Sequence, residues 1–215
     1  MTGNRREFDR DLEAIQLKVA ELFIMVADDV PVATRALLGG DQRAAEAVAG
    51  RDQVTDARCA QIEELAARMV LLQAPVGRDL RFLLSVLRVA PELERSHDLV
   101  THVAARARRE LHQELPPRSR GLVEQLGALA ADMWRWAALA WEHHDGDAVV
   151  MLSGRDQEVG QLHASLLGEL GSGQLSVPVT MEMTLVARFY QRLGDHAVNV
   201  ARRVSYLAGS QVQGQ

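Results

Sequence analysis

Four carboxylates carry the most specific chemistry in this sequence. Asp52 and Asp56 lie four residues apart in one helical stretch, and Glu94 and Asp98 lie four apart in the next. That spacing puts both members of a pair on one helical face, roughly 5–6 Å apart at Cβ, where like charges repel by roughly 0.2–0.5 kcal/mol. If the two helices pack antiparallel, the pairs meet and turn four carboxylates toward one point. Oxygen donors clustered in this way suit hard or borderline cations: magnesium, calcium, manganese or iron. His102 extends the line through Glu94 and Asp98 and tilts the choice toward a transition metal. The plainer alternative is a set of surface acids paired with Arg51, Arg58 or Arg95.

Other chemistries find less support. Glu94-Arg95-Ser96-His97 reads as Glu-x-x-His, the ligand motif of di-iron bundles, but that chemistry needs two copies and the chain has one. His143-His144 falls in a turn, where adjacent histidines are solvated, and no histidine pair at i, i+4 marks a zinc-protease helix. Neither a GxxxxGK[ST] phosphate loop nor a G-x-S-x-G turn is present. Cys59 is the single cysteine, so an internal disulfide is impossible, and its helical setting marks it as a small buried residue. A metalloenzyme built on the Asp/Glu/His cluster, and a helical module whose acids bind nothing, remain open beside a non-catalytic metal-binding protein.

The elements that must hold these residues are helices. Hydrophobic residues make up 47% of the 215 but aromatics only 4%, so Leu, Val, Ala and Met must fill the core, a composition that favours helix over strand. Phe8, Leu12, Ile15, Val19, Leu22, Phe23, Val26 and Val30 recur at three- and four-residue steps, predicting a first helix with one buried stripe and a kink at Pro31. Gly39-Gly40 stops it and Asp41 is a ready N-cap. A second helix is expected over 42–73, with Val48, Val54, Ile62, Leu65, Met69 and Leu72 on its stripe. A third is expected over 76–111 with Pro91 inside it. Pro116-Pro117 breaks the chain. Three more helices follow over 118–142, 147–170 and 178–207, and Met25, Met69, Met133, Met181 and Met183 read as core filler.

Three helices, a break and three helices again indicate an internal repeat. Gly50-Arg51-Asp52 returns as Gly154-Arg155-Asp156, and the same offset sets Asp41 on Asp145. Arg95 and Asp98 return as Arg192 and Asp195. The expected fold class is all-α: two tandem three-helix bundles, residues 1–115 and 118–208, with a polar tail over 209–215. In the second copy Gly160 stands where Asp56 would be and Gln191 where Glu94 would be. Asp156, Asp195 and Asn199 remain, a set two ligands poorer.

Gln73-x-Pro75-Val76-x-x-Asp79-Leu80-Arg81, Leu93-Glu94-Arg95-x-x-Asp98 and Arg192-Leu193-Gly194-Asp195-His196-x-x-Asn199-Val200-Ala201 together resemble the PhoU family of phosphate-signalling regulators. Asp52-x-x-x-Asp56 matches its second-helix acidic motif. The resemblance spans Phe8 to about Arg203. It implies a non-enzymatic, cytoplasmic adaptor that restrains phosphate uptake and the phosphate-starvation response, contacting the ATPase subunit of a phosphate ABC transporter and a phosphate-sensing histidine kinase. It also implies metal binding through the E/D-x-x-x-D motifs: Asp52, Asp56, Glu94 and Asp98 in the first repeat, with Asp156 and Asp195 as remnants in the second. The ion would be divalent or ferric (iron, manganese, zinc or magnesium). Ser96-His97 and His102 depart from the family's usual Ile-Gly and Asn. Family members are often dimers, although no self-complementary face is marked here.

The remaining bounds come from charge and hydropathy. A formal net charge of -5 argues against a nucleic-acid partner. The charged start, Met1-Thr2-Gly3-Asn4-Arg5-Arg6-Glu7, is no secretory signal, and no run of 18 apolar residues is present to span a bilayer. A cytoplasmic protein is expected, reaching the membrane only through a transporter partner.

Overall fold

A computed structural model describes the backbone of residues 2–209 and the side chains of residues 6–209. It holds six helices: α1 (Thr2–Gly39), α2 (Gln42–Gln73), α3 (Gly77–Ala105), α4 (Pro117–His143), α5 (Ala148–Leu170) and α6 (Val177–Leu207). The polar tail expected from Gly209 lies, apart from Gly209 itself, outside the described residues. Among those residues, no helix is long and apolar enough to cross a membrane.

The breaks fall where the backbone demands them. α1 runs through Pro31 as one helix to Gly39, and Gly40 turns the chain at φ +68°. Asp41 then caps α2, its carboxylate accepting the Ala44 N–H at 3.0 Å. Ala74, left-handed at φ 42°, ends α2 just before Pro75. His144, at φ 52°, ends α4 with its N–H donating to the Ala140 carbonyl.

One expectation about a helix end needs correction, and the repeat is not kept at one cap. α3 does not reach Leu111: it stops at Ala105 and tightens into short 3-10 turns, Arg106–Arg109 and Leu111–Gln113, hinged at Glu110 with φ 51°. Nor does Asp145 cap α5 as Asp41 caps α2, since its carboxylate accepts only the Asp147 N–H, at 2.9 Å, before the helix begins.

α1, α2 and α3 pack on one another, as do α4, α5 and α6, and the units join through α1 against α4 and α3 against α6. α2 and α5 are therefore the outer helices, and the buried residues of both units form one continuous core. Phe23 packs between Trp134 and Trp141, 6.0 Å from each ring, tying α1 to α4. Thr34 and Tyr190 share a buried hydrogen bond of 2.7 Å between α1 and α6. Along α3 and α6, the contacts Ser96–His196, His102–Phe189 and Arg106–Glu182 run in opposite directions, so this seam is antiparallel.

The α1 stripe is buried as expected, with Leu12 at its edge. On α2, Val48, Ile62 and Met69 are buried, but Val54 is 45% exposed and Leu72 72% exposed. An outer helix buries a narrower stripe than a central one. Met181 is likewise exposed rather than core filler, lying on the solvent side of the first turns of α6.

Candidate functional site

The close α2–α3 packing brings Asp52, Asp56 and Asp98 together, each offering an oxygen within 4.8 Å of the others. Asp52 and Asp98 are half-buried and Asp56 is exposed, so the triad opens to solvent. The arginines offered as its alternative partners are engaged elsewhere: Arg51 with Asp29, Arg58 with Glu21 and Arg95 with Glu92. Burial first, then the nearby Asp52 and Asp56 charges, push the Asp98 carboxyl above the usual range. Glu94 stands one turn away. Its pKa is raised by burial and then by Asp56, Asp98 and Glu63, so it adds charge to the site without joining the triad.

His102 does not join it either. Its ring packs against Phe189, with centroids 5.6 Å apart, at the α3–α6 seam. Eight residues of α-helix turn through roughly 800°, leaving the eighth about 80° off the starting face. The line from Glu94 to His102 drifts out of the site by that angle.

His97, fully buried, sits behind the triad. Its Nδ1 lies 3.2 Å from Asp52 Oδ1 and its Nε2 lies 3.0 Å from Asp29 Oδ2. Both ring nitrogens are occupied, which removes His97 as a ligand and with it the Glu-x-x-His reading. Burial alone would lower the His97 pKa, but the hydrogen bonds to Asp29 and Asp52 outweigh it and leave it raised. Asp29, 3% exposed, is completed by Arg51, whose Nε donates to Asp29 Oδ2 at 2.8 Å. Thr101 Oγ1 reaches Asp52 Oδ1 at 3.3 Å. Asp52 is thus held by the fully buried His97 and the half-buried Thr101, while the triad stays open on its other side.

Asp29 escaped the sequence reading. Its signal was an acid inside the apolar stripe between Val26 and Val30. A carboxylate at a buried helical position requires a cation or donor partner, and two were available.

The second repeat is built differently. Asp156, Asp195 and Asn199 share a depression, but Arg188, Arg192 and Arg202 line it with them. Arg188 donates to Gln191 Oε1 at 2.7 Å and Arg202 to Asn199 Oδ1 at 2.9 Å. Among the described residues, only the first-repeat triad brings three carboxylate, imidazole or thiolate donors together, and the second repeat keeps two carboxylates and the Asn199 amide among these arginines. The repeat offset that carries Arg95 to Arg192 carries His97 to Gly194. A Cβ on Gly194 would lie 2.6 Å from Asp156 Oδ1. Asp156 occupies the room that an imidazole takes in the first repeat.

Cys59 is buried, and its thiol donates to the Ala90 carbonyl at 3.5 Å. Burial, then Glu94, Glu63 and Asp56, push its pKa up to about 12, which leaves it inert as a nucleophile.

Fold and site together define an all-helical tandem-repeat protein with an open carboxylate site in one repeat and a basic counterpart in the other. The chain belongs to the PhoU family: the model described as "PhoU domain" matches residues 8–107 and again 123–204. A phosphate-specific transport system accessory protein PhoU homolog 1 from Mycobacterium leprae is 31% identical over 207 residues, covering 95% of this chain and 93% of that protein. PhoU homolog 2 of Mycobacterium tuberculosis is 31% identical over 207 residues, covering 95% and 97%. The crystal structure of PhoU from Pseudomonas aeruginosa superposes with a TM-score of 0.88 at 26% identity, covering 95% of this chain and 100% of that one.

Proposed function

We propose that this chain is a non-enzymatic regulator of phosphate uptake and the phosphate-starvation response, acting in the cytoplasm as an adaptor. Its partners are the ATPase subunit of a phosphate ABC transporter and a phosphate-sensing histidine kinase, and it restrains both. The proteins it is similar to are named accessory proteins of phosphate-specific transport systems, and the likeness runs through both repeats. Contact with the membrane is then indirect, through the transporter. Each repeat, 1–115 and 118–208, presents its outer helix to partners.

The observation that carries the adaptor reading is the corner between α2 and α3. Leu71, Leu72 and Val76 are 81%, 72% and 79% exposed there, an apolar cluster on an acidic protein. Exposed apolar residues in contiguity mark protein-binding surfaces. Co-purification of the chain with the cognate ATPase subunit and kinase tests this. Leu72→Asp should lose capture at unchanged helicity, and capture of neither partner by the unaltered chain would refute it.

The acidic triad supports a second component of the same reading: a divalent or ferric ion held by Asp52, Asp56 and Asp98, with Glu94 adding negative charge. Three oxygen donors with one side open fit a hard cation that keeps some of its water. The ion would neutralise the triad and stiffen the α2–α3 face. Elemental analysis of protein purified without added metal, compared with Asp56→Asn/Asp98→Asn, tests it; equal metal content in both would remove the site.

A further inference from the structure

Several arginines of this protein are neutralised by acids. Arg51, Arg58, Arg118 and Arg135 each meet an acid, and Arg106 and Arg109 share Glu182 at one end of the α3–α6 seam. The other end of that seam gathers arginines around a single acid. There Arg88 and Arg95 of α3 face Arg202 and Arg203 of α6 across a cleft of about 580 Å³, floored by Pro91, Glu92 and Asn199. Glu92 is the one acid in the lining. It is already engaged with Arg95 at 2.9 Å and stands 3.7 Å from His196 Nδ1. Arg202 contacts the neutral Asn199, and Arg88 and Arg203 have no ion-pair partner among the described residues. Four guanidinium groups against one carboxylate leave an excess of three positive charges on a chain whose net charge is -5. The adjoining depression, which shares Arg202 and Asn199, adds Arg188 and Arg192 but also Asp156 and Asp195, so the excess of positive charge belongs to the cleft itself.

Like charges lining one cleft repel, and an anion among them relieves that repulsion. Guanidinium groups present planar donor forks that match phosphate oxygens two at a time, and they do so with less bound water to lose than ammonium groups. The cleft volume lies in the range of small-molecule sites. An excess of three charges is underfilled by one phosphate ion and matched by a short phosphoanhydride chain.

We propose that the cleft between α3 and α6 binds a small anion carrying two or more linked phosphoryl groups, gripped by Arg88, Arg95, Arg202 and Arg203. Such a chain is available free, as an oligophosphate, or on a nucleotide. The site is separate from the acidic triad: within α3, Asp98 faces α2 whereas Ser96 faces α6.

The test is calorimetric titration of the full chain, freed of metal with EDTA and dialysed so that a phosphate chain cannot act by chelating a bound cation. Tripolyphosphate, ATP and inorganic phosphate are titrated in turn. Tripolyphosphate is expected to bind at least tenfold tighter than inorganic phosphate. Arg88→Gln/Arg203→Gln should weaken it at least tenfold, while Arg135→Gln, on another face, changes it less than twofold. ATP binding tighter than tripolyphosphate assigns the site to a nucleotide, and the reverse order assigns it to a free chain. If the double variant does not fold, Arg88→Gln alone, at an exposed and unpaired position, carries the comparison. Absence of binding at millimolar tripolyphosphate overturns the proposal, as do equal affinity for inorganic phosphate and equal weakening by Arg135→Gln.

Discussion

Asp98→Asn should make the metal-free protein more stable and the metal-loaded protein less so. The carboxylates of Asp52, Asp56 and Asp98 offer oxygens within 4.8 Å of one another, and Asp98 faces both of the others. Two unit charges at that distance repel by about 0.9 kcal/mol at the dielectric constant of water and about 3.5 kcal/mol at an effective value of about 20. Asp56 is exposed and the triad is open, so the lower figure applies. Removing one charge deletes two such repulsions, and salt reduces the total further. A gain of about 1–2 kcal/mol follows, or about 2–8 °C in Tm for a chain of this length. No hydrogen bond offsets it, since none joins the Asp98 carboxylate to another described residue.

The assay is thermal unfolding at pH 7 and low ionic strength, first with EDTA and then with manganese. Manganese at about 100 times its Kd should stabilise the unaltered chain by about 2.7 kcal/mol through linkage. The variant, with one ligand neutralised, should respond far less, so the order of the two melting temperatures reverses. A variant that melts at or below the unaltered chain in EDTA would refute the repulsion argument. An equal manganese shift in both would refute the site.

Three further outcomes follow from the geometry. His97→Gln leaves the triad intact but cannot hold Asp52 and Asp29 together, so manganese affinity should fall about 10–100-fold in competition with a chelating dye. His196 is held below the ordinary histidine pKa by burial first and by Arg192 and Arg95. The unfolded chain therefore binds the proton more readily, and stability should fall as pH drops from about 6.5 toward the lowered value. His196→Gln should flatten that part of a pH series of denaturant midpoints. Gly127→Ala should cost about 1–3 kcal/mol through overpacking. Its Cβ would come 2.3 Å from Thr34 Oγ1 in the α1–α4 contact. Thr34→Ala should recover part of that loss in the double variant, so additive costs in denaturant titrations would contradict the contact.

Helices were legible because the chain is punctuated at Gly39-Gly40, Pro75 and Pro116-Pro117, each of which breaks the backbone where the apolar period also stops. The end of α3 was not, because Arg106–Gln113 has no glycine or proline: the chain tightens from α to 3-10 hydrogen bonding and turns at a left-handed Glu110, a residue type that does not mark such a turn. Carboxylate spacing correctly placed Asp52, Asp56 and Asp98 on facing helices. It failed at His102, since a four-residue step accumulates drift. The arginine cleft lay beyond any local pattern: Arg88 and Arg203 are brought to one place by the packing of two helices from different repeats.

The two repeats show how a duplicated fold can differ at equivalent surface positions. Positions that fill the core are held in both, because one continuous core penalises any gap. Positions on the outer faces are free to diverge. In the first repeat His97 fills the space beside Asp52, and Asp29 and Arg51 back it, so the carboxylate is turned toward Asp56 and Asp98. In the second, Gly194 leaves that space empty of side chain, and Asp156 lies over it. The equivalent of Arg51, Arg155, has turned to Glu158 and to the face of Trp136, 5.0 Å away. With Gly160 and Gln191 in place of two carboxylates, the remaining acids no longer outweigh Arg188, Arg192 and Arg202. A buried histidine and its buried acid therefore stand behind the one repeat that brings three carboxylates together. In the repeat without that pair, the counterpart is lined by three arginines and two aspartates.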